Sequence, residues 1–352
     1  MSKKSLDFLK QLINTPSPAG FEQPAAALWR KEAAQYADKV NADILGNSIA
    51  ILNPKGSPRI MLAAHVDEIG FMVQYITDEG YLYFGPIGGH DATVVVGQRV
   101  WIHGEKGPVL GVLGRKAIHL MKQEERGKNV ELDDLWIDIG AASKEEALKR
   151  VNVGDPITYA STMEALSEKV YTSHAFDDKM GAYVLIETMK LLKGKKIKPC
   201  VCFVATTQEE TTYAGSRSSS FGVDATVGIA VDVSHATDNP ASDKKKKGDF
   251  KLGDGPMIAI GAQINPKVQK LLFSVAKNKK IPHQREASPW HSGTDAIAMQ
   301  VARAGMATAV VSVPLRYMHT PNEVLHVDDL ENTAKLLAAF LEAVTPEMDW
   351  IP

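Results

Sequence analysis

Three short, uninterrupted apolar runs constrain this chain more than any other feature: VCFVA at 201–205, TVGIAV at 226–231 and TAVVSV at 308–313. None keeps the polar–apolar alternation of a half-exposed strand, so each reads as a strand covered on both faces. Between and around them lie helical stretches at 179–192, 266–277 and 296–304. Strands alternating with helices predict an α/β fold, a mixed sheet sandwiched by helices. The amino-terminal part extends the pattern. Leu6, Leu9, Leu12 and Ile13 form an amphipathic stripe that Pro16 and Pro18 break, and a second helix is expected over 21–36. Strands follow at 48–52 and 60–63, with a turn at 53–56. Near the carboxyl end, Asp328 and Glu331 read as a capping box. Leu330, Ala334, Leu337, Leu341 and Val344 then mark one helical face.

The texture changes between residues 71 and 159. Short β-type runs at 71–76, 81–84, 93–96 and 109–113 are punctuated by glycine, and only 143–150 looks helical. This predicts a small β barrel or sandwich. The expected organisation is an α/β domain in two pieces, 1–69 and 166–352, interrupted by a β domain at 70–165. The charged stretches 122–128 and 244–247 read as solvated surface loops.

A chain of 352 residues with 44% hydrophobic and 23% charged residues can bury a core without disulfides. Its 40 basic and 42 acidic side chains leave a formal charge of −2, which points to neither a nucleic-acid nor a membrane partner. Cys200 and Cys202 sit in an apolar run and are expected to be buried free thiols. The basic residues at the start have no apolar stretch behind them, and a cytoplasmic location is expected.

Five polar clusters follow predicted strands or open a predicted helix, where ligands bind in open α/β sheets. His65 can ligate a metal, while Asp67, two residues on, can hold the proton of the other ring nitrogen. Asp177 and Asp178 begin a helix and can either cap it or bridge two cations. Glu209 and Glu210 emerge from the most apolar strand, where carboxylates are costly unless paired or metal-bound. Asp232 ends another strand, and His319 lies in the turn after 308–313. Taken together, mixed imidazole and carboxylate ligands suit zinc, cobalt or manganese better than magnesium or calcium.

The order and wording of these clusters (AHVDEIGFMV, HAFDDKMG, TTQEE, VDVSHATD, LGDGP, GTDA and PLRYMHTPNE) resemble the tetrahedral and glutamyl aminopeptidase family of dinuclear metallo-exopeptidases. The resemblance implies two divalent metal ions per subunit, with zinc first and cobalt or manganese as alternatives. Asp177 would bridge them, His65 and Asp232 would complete one site, and Glu210 and His319 the other. Glu209 would be the general base, and Asp67 would orient His65. It also implies a cis peptide at Asp177–Asp178, short peptide substrates, and dimers formed through the β domain that build a tetrahedral dodecamer. Two departures stand out: Lys179 where the family has Arg, and Thr211-Thr212-Tyr213 after the Glu pair where Val-Gly is usual. A related deacylase of N-acyl amino acids, a glycosidase (some relatives carry an endoglucanase label) and a non-catalytic peptide-binding or assembly protein are the competing readings.

Overall fold

The computed structural model describes residues 1–352. Its main sheet has eight strands in the order Lys39–Ala42, Ser48–Leu52, Cys200–Thr206, Arg59–His65, Val227–His235, Ala307–Leu315, Met257–Gly261 and Gln284–Ser288. The four central strands, from Cys200–Thr206 to Ala307–Leu315, run parallel. Antiparallel partners flank them at Ser48–Leu52 and Met257–Gly261. Every residue of Cys200–Thr206 is buried, as its apolar sequence requires. Helices Phe176–Leu192 and Val327–Ala343 pack together over the central strands, while Ala214–Val223 and Ala296–Gln300 pack against each other and the same strands.

Register determines which side chains meet at the carboxyl edge of the sheet. Thr206 pairs with His65, Ala230 with Ala63, and Asp232 with Ser312. Counting two residues beyond Ala63 and Ala230 puts His65 and Asp232 at the same height. A single row therefore carries Thr206, His65, Asp232 and Ser312 across four parallel strands. A small second sheet of Glu164–Ala165, Val170–Ser173 and Glu323–His326 pairs Ser173 with Glu323. That pairing brings the segment leading to Asp177 beside the turn that carries His319.

Between these parts stands a closed six-stranded barrel, in the order Gly70–Ile76, Leu82–Ile87, Trp136–Asp138, Gly107–Gly114, Arg99–Gly104 and Pro156–Tyr159. It has its own hydrophobic core, which includes Phe71, Ile102, Ile137 and Ile157, separate from the core around the large sheet. Gly70 is required at the seam, because a Cβ there would collide with the Ile157 carbonyl.

Several local expectations are corrected. Residues 93–96 are not a strand: Asp91 accepts from the Thr93 N–H at 2.8 Å and starts a single turn, Ala92–Val95, which Gly97 ends in a left-handed conformation. The helix expected over 296–304 stops at Gln300. The last helix is not capped by Asp328. His326 is its N-cap, its Nδ1 accepting from the Asp328 N–H, and Glu331 instead pairs with the chain's amino terminus. The stretches 122–128 and 244–247 each contain one exposed helical turn, Gln123–Arg126 and Lys244–Lys247. Cys200 and Cys202 are buried free thiols, as expected. No helix is long and apolar enough to cross a membrane.

Candidate active site

All eight side chains singled out in the sequence, His65, Asp67, Asp177, Asp178, Glu209, Glu210, Asp232 and His319, converge at the carboxyl edge of the parallel strands. The Asp177 carboxylate stands between the two imidazoles. Its Oδ1 lies 3.1 Å from His65 Nε2 and its Oδ2 lies 3.3 Å from His319 Nε2. Glu210 Oε1 is 3.4 Å from His319 Nε2, and Glu209 Oε2 is 3.9 Å from His65 Nε2. Potential ligand atoms of His65, Asp177 and Glu210 lie within 4.8 Å of one another, as do those of His65, Asp178 and Asp232. His65, Asp177, Glu209, Glu210, Asp232 and His319 border a cavity of about 280 Å³, together with Tyr213, Ser234, His235, Thr294 and Met318, while Asp178 is buried behind it. A larger cavity of about 670 Å³ beside the carboxyl-terminal tail has Asp349 as its only titratable side chain, so size does not mark the chemistry.

Asp67 behaves differently from a simple orienting carboxylate. The close partner of His65 Nδ1 is the Asp67 main-chain oxygen at 3.1 Å, with carboxylate Oδ1 at 3.6 Å. The carboxylate accepts from the N–H groups of Glu209 and Glu210, each at 3.1 Å, and so fixes the turn that presents both glutamates. Gly215 completes that turn, since a Cβ there would strike the Thr207 backbone.

Further residues brace these side chains from behind, and apart from Asp178 their motifs were the only sequence signal for them. The Asp177–Asp178 peptide is cis, as the resemblance implies. Asp178 accepts from the His65 N–H and the Gly181 N–H, both at 3.2 Å. Glu323 accepts from the Asp177 N–H at 3.2 Å and the His319 N–H at 2.9 Å, tying the Asp177 segment to the His319 turn. Asp295 receives the Thr206 hydroxyl at 2.5 Å. Lys179 is fully buried, and its Nζ donates to Glu68 Oε1 at 2.7 Å, Thr15 O at 2.7 Å and Ile13 O at 3.2 Å.

The electrostatics are those of an anionic pocket. Burial, reinforced by Asp232, Asp295 and Glu210, pushes the Glu209 carboxyl up to about 10 despite the opposing His65. Burial and then Asp177 likewise raise Asp232. Burial would lower His319, but Asp177 and Glu210 outweigh it and raise the imidazole to about 11. Glu209 Oε1 and Glu210 Oε1 are buried and accept no hydrogen bond.

Residues 46–336 match the profile of the M42 glutamyl aminopeptidases. The chain belongs to that family. This M42 aminopeptidase is 38% identical over 350 residues to the lysyl aminopeptidase of Pyrococcus furiosus, a match spanning 98% of this chain and 99% of that protein. Its fold superposes on the TET aminopeptidase of a marine sediment Thaumarchaeota archaeon with a TM-score of 0.93 and 34% identity, covering 97% of this chain and 96% of that one. The Pyrococcus horikoshii TET1 peptidase, described as assembling into a tetrahedron or a large octahedral shell, matches with a TM-score of 0.86 and 32% identity over 97% of this chain and 100% of that one. The M42 chain is thus an aminopeptidase, a hydrolase of peptide amino termini.

Proposed function

We propose that this aminopeptidase depends on two divalent cations held by His65, Asp177, Glu210, Asp232 and His319, with zinc as the first choice and cobalt or manganese as alternatives. The supporting observation is the donor set. Asp177 turns one oxygen toward each imidazole, Glu210 Oε1 faces His319 Nε2 at 3.4 Å, and an unpartnered Glu209 oxygen is buried beside them. Buried carboxylates at such density are stable as anions only beside cations, and no lysine or arginine is paired with the ligand carboxylates. When bound, the metals would supply Lewis acidity and lower the pKa of a water.

The chain's own residues do the rest. Glu209 accepts the proton of the attacking water and returns it to the leaving amine. Its carboxyl stands high without compensating charge, and cations among its neighbours would draw it down toward a value suited to that exchange. The Asp67 carboxylate keeps Glu209 and Glu210 in register through their N–H groups. Asp178 and Glu323 fix the backbone on either side of Asp177. The small, acid-lined cavity accommodates one free amino terminus and excludes folded protein.

Residues 1–69 and 166–352 form the catalytic unit in this reading, and 70–165 an insertion that mediates dimers and, through them, a tetrahedral dodecamer built for short peptides. The assembly described for the Pyrococcus horikoshii relative supports that part.

Glu209→Gln tests the mechanism. It is expected to lower kcat by about 10²–10⁴-fold while metal analysis still finds two ions per chain, and chelation should abolish wild-type activity. Full activity of Glu209→Gln, or activity that survives chelation, defeats the reading.

A further inference from the structure

Four neutral hydroxyls border the catalytic cavity, those of Tyr213, Ser234, Ser292 and Thr294. A hydroxyl has one proton to donate, and three of the four have already committed it. Ser234 donates to Glu286 Oε1 at 2.5 Å, and Ser292 donates to Gln263 Oε1 at 2.9 Å. With the Ser292 proton spent there, Thr294 is the donor in the 2.7 Å contact between the two hydroxyls. The Tyr213 phenol alone has no hydrogen-bond partner within the chain. His235, whose imidazole is also free, is exposed, whereas Tyr213 is half-buried.

The backbone holds that phenol in a strained position. Tyr213 lies between the turn Glu209–Thr212 and the helix Ala214–Val223, with φ at 55°, a left-handed conformation unfavourable to an aromatic residue. Its N–H donates to Gln208 O at 2.9 Å, and its carbonyl accepts from the Arg217 N–H at 3.0 Å and the Ser216 hydroxyl at 3.1 Å. Tyr213 is thus fixed on both sides of its α carbon, by the same turn that presents Glu209 and Glu210. The carboxylates whose charge acts on the phenol are Glu209 first, then Asp232, Asp295 and Glu210. Glu209, Asp232 and Glu210 themselves border the cavity, so the hydroxyl faces the reacting groups.

We propose that Tyr213 is a catalytic residue, whose hydroxyl donates to the carbonyl oxygen of the scissile peptide as that oxygen becomes an oxyanion. This rests on the Glu209 mechanism proposed above. As the water oxygen bonds to the carbonyl carbon, Glu209 takes the water's proton and the π pair moves onto the carbonyl oxygen. The oxyanion forms beside Glu209, within walls that Tyr213 shares, and the phenol is the one hydroxyl there with a proton free to meet it. On collapse the C–N bond breaks and its electron pair takes the proton from Glu209, while the phenol keeps its own proton throughout. Burial and then the surrounding carboxylates push the phenol up to about 12, so it remains an O–H donor at neutral pH. A donor fixed before the reaction needs no reorganisation when the charge appears.

Tyr213→Phe removes the hydroxyl and keeps the ring. The assay uses the metal-loaded enzyme and the aminoacyl p-nitroanilide that wild type cleaves fastest. The variant is expected to lower kcat by about 10²-fold and to move KM by less than about threefold. The phosphonic analogue of the same amino acid, whose tetrahedral oxygens stand in for the oxyanion, should lose affinity by roughly the factor lost in kcat/KM, while the free amino acid should bind within about threefold of wild type. Metal content and melting temperature should match wild type. A kcat within about threefold of wild type overturns the proposal. So does equal weakening of the phosphonate and the free amino acid, or a loss of metal or thermal stability, either of which would make Tyr213 a structural support. An active Tyr213→Phe beside an inactive Glu209→Gln strikes this proposal alone, whereas a fully active Glu209→Gln strikes the mechanism on which it rests.

Discussion

Replacing Lys179 with methionine should cost stability while sparing the ligand set. Lys179 is fully buried, with its Nζ on Glu68 Oε1, Thr15 O and Ile13 O. Glu68 is 1% exposed, so removing the ammonium strands a buried carboxylate and two carbonyls. Breaking a buried pair in this way costs about 3–5 kcal/mol. Glu68 keeps the Ser17 N–H at 2.8 Å and His174 Nε2 at 3.1 Å, which places the expected loss near the lower end. For a chain of 352 residues the unfolding entropy is roughly 0.7 kcal/mol/K, so the melting temperature should fall by about 4–7 °C. Adding Glu68→Gln removes the stranded charge, and the double variant should regain at least about 1 kcal/mol relative to Lys179→Met alone. Calorimetry on the wild type, both single variants and the double variant closes the cycle. A Lys179→Met shift below about 1 °C, or a double variant less stable than Lys179→Met, refutes the account of this cluster as a buried structural ion pair.

The same cluster sets an acid limb. Burial would raise the Glu68 carboxyl, but the Lys179 ammonium and His174 outweigh it and hold it down at about 2. A depressed folded value means that the stabilisation is present above the ordinary glutamate range near pH ~4.3 and is lost as pH falls toward 2. The stability advantage of wild type over Glu68→Gln should therefore shrink across that window in chemical denaturation, and an advantage independent of pH would contradict it. The second prediction concerns the imidazoles. Burial opposes protonation of His65, yet Asp177 and Asp67 raise it well above its ordinary value, as Asp177 and Glu210 raise His319. Both raised values favour the protonated imidazole before a cation enters, so binding of the proposed metals should release protons and weaken by at least about tenfold between pH 8 and pH 6; calorimetric titration in buffers of different ionisation enthalpy would detect no release if this is wrong.

Much of this architecture is legible because burial and composition coincide. The apolar runs at 201–205, 226–231 and 308–313 have nowhere to go but the middle of a sheet, and polar side chains directly after them mark its ligand-binding edge. Glu209, Glu210 and Asp232 were visible for that reason, His65 because it follows the shorter run at 60–63, His319 because it lies in the turn beyond 308–313, and Asp177 because it opens a helix. What stayed hidden depends on contacts between distant segments. Strand Arg99–Gly104 buries Val100 and Ile102 while Trp101 faces outward, so an apolar outer residue masks the alternation. Residues 93–96 are β-branched enough to suggest a strand, and only the Asp91 cap tips them into a helical turn. Lys179 reads as a weaker stand-in for arginine, yet its compact ammonium reaches two carbonyls and a carboxylate at once. The N-cap role of His326 was equally invisible, because Asp328 and Glu331 supply the more familiar capping pattern.

The barrel is more than an appendage to the catalytic sheet. His90 holds the loop after Leu82–Ile87 against the first and last strands of the barrel, with Nε2 donating to Gly70 O at 2.7 Å, Nδ1 3.1 Å from the Tyr159 hydroxyl, and the ring stacked 4.2 Å from Phe71. Burial pushes this imidazole down to about 4, so it stays neutral and can donate at one nitrogen while accepting at the other. The loop so fixed passes directly over His319 and Glu210. A Cβ on Gly89 would lie 3.5 Å from His319 Nδ1, and one on Gly88 would lie 3.5 Å from Glu210 Cβ. His319 and Glu210 are thus covered by backbone from a unit whose hydrophobic core is separate from that of the sheet. Because Gly70 leads straight from the His65 segment into the barrel seam, any shift of the barrel relative to the sheet would be transmitted to the His65 segment on one side and to the wall beside His319 on the other. The space around the reacting groups is therefore set by the docking of two cores, and not by the sheet alone.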